Sequence, residues 1–137
     1  MLWTLLIIHF LALMAYDVIQ VEDDGDYREA VERFLRQNGV SCLGVETLEE
    51  LISALSTNPA VKVFLLDGIF PAKSGDKPSY NAERAVAEIK HSVSDAAIAF
   101  LSTMTNAAAV AEQLKIDYPK KNPETLMSWV KEKLDRH

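Results

Sequence analysis

From residue 16 onward, short runs of β-branched and large apolar residues alternate with longer stretches whose apolar positions recur every three or four residues. Residues 16–21 (YDVIQV) read as a first strand. In residues 26–37 (DYREAVERFLRQ), Ala30, Val31, Phe34 and Leu35 fall at helical spacing, and Asn38-Gly39 supplies a stop. Residues 40–45 (VSCLGV) read as a second strand, and residues 47–56 (TLEELISALS) as an amphipathic helix ended by Asn58-Pro59. Thr47, with Glu50 three positions on, forms a capping-box pattern. Residues 61–66 (VKVFLL) are nearly all apolar, as expected of a central strand covered on both faces.

A long loop with Pro71, Gly75 and Pro78 follows, over residues 68–79. The spacing then predicts a helix over 81–91, a strand over 96–101 (AAIAFL), a short Ala-rich helix over 106–114 and a brief strand over 115–118 (KIDY). A last helix spans 123–134, with Pro123 at its first position and Leu126, Trp129, Val130 and Leu134 on one face. Strands and helices alternating five times argue for a parallel sheet covered on both faces. Right-handed crossovers leave few topologies, and the three-layer flavodoxin-like (βα)5 sandwich, strand order 2-1-3-4-5, is the expected one. No internal repeat or linker divides residues 16–137, which read as a single domain.

Residues 1–15 (MLWTLLIIHFLALMA) stand apart as an extra apolar segment, polar only at Thr4 and His9. The run is shorter than the ~20 residues a spanning helix needs, and no basic stretch opens it as in a secretory signal. It is expected to pack as a helix on the domain or on a second copy. A membrane-surface anchor and an extension without a role in the fold are the alternatives.

Composition narrows the chemistry. The chain has 137 residues, 49% hydrophobic and 25% charged, which excludes disordered and low-complexity architectures. A net charge of −6 makes nucleic acid a poor partner. The single cysteine, Cys42, excludes an internal disulfide and a Cys-based zinc site, and three scattered histidines argue against a His site. No GxxxxGK[ST] phosphate loop occurs.

In such sheets the chemistry lies at the carboxyl ends of the strands. The first strand runs into Glu22-Asp23-Asp24, the third into Asp67, the fourth into Ser102-Thr103, and the fifth towards Lys120-Lys121. Carboxylates held close together repel one another and favour a cation, and hard oxygen donors without His or Cys suit Mg²⁺. A Lys ammonium and a hydroxyl suit phosphate oxygens, and a carboxylate is a competent nucleophile for phosphoryl transfer. Each residue also has an ordinary reading. Asp24 or Asp26 is a natural helix cap, Asp67 a turn former, Ser102 and Thr103 caps of the next helix, and the lysines plain surface charge.

Taken together, VEDDGDYR, FLLDGIFP, Ser102 closing the fourth strand and DYPKKNPETL resemble the receiver domain of two-component response regulators, over residues 16–135. The resemblance implies a phosphoacceptor domain, cytoplasmic and not an enzyme in its own right. Asp67 would take a phosphoryl group from a sensor histidine kinase or a histidine phosphotransfer protein. Asp23, Asp67 and the Ile69 backbone carbonyl would hold Mg²⁺, with Glu22 acting through a metal-bound water. Lys121 and Ser102 would contact phosphoryl oxygens, and Tyr118 would follow by changing rotamer. The face made by the fourth helix, fifth strand and fifth helix would then change its affinity for a downstream target. A homodimer through residues 1–15 is a further expectation.

Several features depart from that pattern. Residues 73–79 lengthen the loop after the third strand, and the stretch from Ser102 to Tyr118 is about one helical turn short. A one-residue slip would exchange Thr103 for Ser102 and Lys120 for Lys121. Ile69 and Met104 stand where, by the resemblance, side chains modulate hydrolysis; both are apolar and cannot orient a water, so slow self-dephosphorylation is expected. Two other readings compete: a pseudo-receiver acting only as an interaction module, and a haloacid-dehalogenase-type phosphatase. The latter needs a second Asp two positions after the first, where Ile69 stands.

Overall fold

Four of the apolar runs become parallel strands in the computed structural model, which describes residues 2–4, 6, 15–120 and 122–137. They are β1 (Val18–Val21), β2 (Cys42–Val45), β3 (Val63–Leu66) and β4 (Ala97–Phe100), in the order β2-β1-β3-β4. Val18 lies beside Cys42 on one side and Val63 on the other, and Val63 lies beside Ala97. Every residue of β1 and β3 is buried, so the central strands are apolar on both faces except at Gln20. The expected flavodoxin-like order is found.

Among the described residues, five helices cover the sheet: α1 (Gly25–Gln37), α2 (Leu48–Thr57), α3 (Ala82–Ser92), α4 (Ala107–Leu114) and α5 (Pro123–Arg136). On one face α1 and α5 bury Val31, Leu35, Leu126 and Val130 against Val18, Val63 and Leu65. On the other, α2, α3 and α4 bury Leu51, Ile89 and Ala111 against Ile19, Phe64 and Phe100. Local sequence sets the helix starts. Asp24 caps α1 by accepting the Tyr27 N–H at 3.2 Å. Thr47 caps α2 by accepting the Glu50 N–H at 3.1 Å. The Glu50 carboxylate reaches back to the Glu46 N–H at 2.9 Å, one residue earlier than the usual capping box. Asn122 accepts the N–H groups of Glu124 and Thr125 ahead of Pro123.

The expected fifth strand over 115–118 is reduced to one parallel bridge, Asp117 beside Ala99. The Asp117 N–H donates to the Ile98 carbonyl at 3.0 Å, and the Phe100 N–H donates to the Asp117 carbonyl at 2.8 Å. The next donor in that ladder falls to Pro119, which has no N–H. On the other side Lys115 adopts a left-handed conformation to end α4. The segment is held instead by a side chain: Trp129 Nε1 on α5 donates to Asp117 Oδ2 at 2.9 Å.

The long loop after β3 is paired at its two ends. Ile69–Phe70 pairs antiparallel with Ser79–Tyr80 as a short hairpin. Buried Asn81 ties its base, donating to the Phe70 carbonyl at 2.7 Å and to Ser79 Oγ at 3.1 Å. The carbonyls of Pro71 and Ala72 accept the first N–H groups of α2, each at 3.0 Å.

In the opening segment, residues 2–4 and 6 are helical, and Leu2, Trp3 and Leu6 are 70%, 78% and 53% exposed rather than packed on the domain. The rest of that segment up to residue 14, including His9, lies outside the described residues. No described helix is long and apolar enough to cross a membrane.

Candidate functional site

Backbone pairing beyond the strand ends brings the acids together. The Glu22 N–H donates to the Val45 carbonyl at 2.9 Å, and the Asp67 N–H donates to the Val21 carbonyl at 3.1 Å. The ends of β1 and β3 are thereby level. One carboxylate oxygen from each of Glu22, Asp23 and Asp67 lies within 4.8 Å of the other two, with Glu22 buried and the others half-buried. Asp67 Oδ1 accepts the Gly68 N–H at 2.7 Å, which fixes the side chain. Gly68 itself sits tightly: a Cβ there would stand 3.1 Å from Phe100 Cζ and 3.3 Å from Met104 Sδ. Met104 therefore lies against the residue that follows Asp67.

The other expected residues are placed as follows. Ser102, 4% exposed, ends β4's extension, and its Oγ accepts the Met104 N–H at 3.1 Å. That bond belongs to the loop rather than to a cap of α4, which starts after Asn106. Thr103 is exposed, so of the two hydroxyls Ser102 is the one turned inward. Ile69 is 45% exposed in the hairpin. Tyr118 is half-buried against the α2–α3–α4 core. Lys120 is exposed and has a left-handed backbone (φ 65°), whereas Lys121 lies outside the described residues.

Among the described residues, two neighbours add to the surroundings. Burial, together with the nearby carboxylates of Glu22 and Asp67, pushes the Tyr27 phenol up from 10.0 to about 12. Sequence reading missed it. Its signal is a tyrosine one turn into a helix capped by Asp24, a position that faces the carboxyl edge of the sheet. Tyr27 also forms one end of a groove of about 220 Å³ between α1 and the start of α5, lined by Val31, Phe34, Pro123 and Leu126. Arg28 follows it, donating from Nη1 to the Glu22 carbonyl at 2.9 Å and from Nη2 to Glu46 Oε1 at 2.9 Å.

Three converging carboxylates without a His or Cys among them form a hard, anionic oxygen set. They fit a Mg²⁺ ion, which prefers carboxylates and retains some water.

No protein-family model matches the sequence, and no curated protein aligns with it significantly. Solved structures do align. The receiver domain of a response regulator from Clostridium thermocellum superposes with a TM-score of 0.72 at 18% identity, covering 87% of this chain and 94% of that one. A CheY-like receiver domain from Methanospirillum hungatei gives 0.71 at 17% identity, over 89% and 95%. The BeF3-activated DrrB receiver domain gives 0.69 at 24% identity, over 89% and 99%. The chain has the fold of response-regulator receiver domains.

Proposed function

We propose that this chain is the phosphoacceptor domain of a two-component or phosphorelay system, acting in the cytoplasm. The observation that carries the reading is the meeting of Glu22, Asp23 and Asp67 at the carboxyl edge of a receiver-type sheet. Asp67 is the nucleophile. An oxygen of its carboxylate bonds to the phosphorus of a phosphohistidine, the P–N bond breaks, and the imidazole of the donor keeps the electron pair and gains a proton. The product is an acyl phosphate on Asp67.

Glu22, Asp23, Asp67 and the Ile69 carbonyl would hold Mg²⁺, which when bound neutralises charge on the transferring group. The Gly68 N–H holds one Asp67 oxygen and so orients the carboxylate. Ser102 exchanges its bond from the Met104 N–H for one to a phosphoryl oxygen, Lys121 pairs with another, and Tyr118 turns inward behind Ser102. The partners are a sensor histidine kinase or histidine phosphotransfer protein upstream, and a protein target on the face of α4, the 115–118 segment and α5. Nucleic acid is not a partner. The domain assists its own phosphorylation and, with apolar Ile69 and Met104 beside the site, loses the phosphoryl group slowly. It does not turn over a substrate.

The test is incubation with acetyl phosphate and Mg²⁺, followed by intact-protein mass spectrometry. The expected result is an increase of about 80 Da that depends on Mg²⁺ and disappears in Asp67→Asn. No increase under any condition would leave the pseudo-receiver reading, which the single-bridge fifth strand and the eight-residue α4 favour.

A further inference from the structure

We infer that Arg28 is a positioning residue for the acidic site: its guanidinium clamps the peptide group that joins Glu22 to Asp23. The inference rests on the metal-binding reading above and adds a residue to it. The Glu22 carbonyl, which accepts Arg28 Nη1 at 2.9 Å, belongs to that peptide. The Glu22 N–H is held by the Val45 carbonyl at 2.9 Å. The backbone of the first acid is thus held at both its donor and its acceptor, by β2 and by a side chain of α1. Rotation of this peptide would swing both carboxylates.

The guanidinium is itself anchored. Nη2 donates to Glu46 Oε1 at 2.9 Å, Nε lies 3.9 Å from Glu32 Oε1, and the side chain is only 14% exposed. One planar fork therefore reaches α1, the β1–α1 turn and the β2–α2 turn at once. A lysine has the charge but no such fork. Gly44 makes room for the arrangement. A Cβ on this β2 residue would stand 2.7 Å from Arg28 Cδ and 2.9 Å from Cγ, and would run into the Glu32 carboxylate. The clamp has work to do because three like charges within 4.8 Å push apart when no cation is present.

A clamp and a mere countercharge predict opposite signs. If Arg28 acted only by its charge, removing it would strengthen binding of a divalent cation. If it fixes the peptide, Arg28→Ala and the charge-preserving Arg28→Lys both weaken binding, by about tenfold, the usual cost of losing an outer-shell partner. Gly44→Ala displaces the arginine stem and weakens binding in the same direction. The experiment is calorimetric titration of the full chain with Mg²⁺, alongside urea midpoints in EDTA and the ¹⁵N shift of the Asp23 amide in the metal-free protein. That nitrogen reports the hydrogen bond on the preceding carbonyl and should move in each variant. If Arg28→Ala does not fold, Arg28→Lys and Gly44→Ala carry the test.

Variants that bind Mg²⁺ as tightly as wild type or more tightly, with an unmoved Asp23 signal, overturn the inference while leaving the phosphoacceptor reading intact. Wild-type protein that binds no Mg²⁺ overturns both, and is told apart by that measurement alone.

Discussion

Asp67→Asn should make the metal-free protein more stable, although it removes the group on which the proposed chemistry depends. One oxygen from each of Glu22, Asp23 and Asp67 lies within 4.8 Å of the others. Two unit charges at that separation repel by roughly 0.9 kcal/mol in the dielectric of water and by roughly 3.5 kcal/mol at an effective value of about 20. With one carboxylate buried and two half-buried, the site sits between these limits. Asp67 takes part in two such pairs, and physiological salt, with a Debye length of about 8 Å, removes roughly half of each. The expected gain is about 1–2 kcal/mol.

Among the described residues no ion pair of Asp67 offsets this gain, and an asparagine oxygen can still accept the Gly68 N–H now bonded at 2.7 Å. The assay is urea unfolding in EDTA, where the midpoint should rise without a change in slope. Adding Mg²⁺ should then stabilise the wild type by mass action and the variant much less. A variant less stable than its parent in EDTA, or one that gains as much from Mg²⁺, would refute the picture of three ionised carboxylates around one cation position.

Three further outcomes follow from the packing. Gln20 is 1% exposed on β1, and among the described residues neither side-chain polar atom has a hydrogen-bond partner. Gln20→Leu should therefore stabilise the fold by about 1–2 kcal/mol in urea unfolding, and a loss of stability would show that the amide is satisfied in solution. Asn81→Ala removes the bonds to the Phe70 carbonyl and Ser79 Oγ, leaving a buried acceptor bare. It should cost about 1–3 kcal/mol and loosen amide exchange in the hairpin; unchanged exchange there would argue against this role. Alkaline titration gives the last. Tyr27 is raised from 10.0 to about 12 and Cys42 from 9.0 to about 12, both mainly by burial. Each group holds its proton more tightly when folded, so the stability is whole below the unfolded values and drains as pH climbs towards about 12. Tyr27→Phe should make the decline above pH 10 shallower, and parallel curves for the two proteins would count against it.

Much of this protein could be read along the chain. The helices begin where Asp24, Thr47 and Pro123 indicate, because a cap needs only a side chain and the N–H groups two or three residues on. The four strands follow the apolar runs, most plainly β1 and β3, because burial of a whole strand leaves its mark on every residue in it. Acidic residues directly after two of those strands mark one edge of the sheet once a parallel α/β fold is inferred.

Only tertiary structure decided the rest. Local spacing does not level β1 with β3; the Asp67 N–H on the Val21 carbonyl does that, and it turns separate acids into a cluster. The fifth strand failed as an element because Pro119 withholds a ladder donor, and a distant tryptophan holds the segment in its place. The loop after β3 closed into a hairpin because buried Asn81 reaches back across it. The Arg28 grip on Glu22 needs the bare surface of Gly44 on a neighbouring strand. Hydrophobic period and capping are properties of neighbours in sequence. The shape and charge of the site depend on which carbonyl meets which donor across the sheet, and that is settled only when the layers pack.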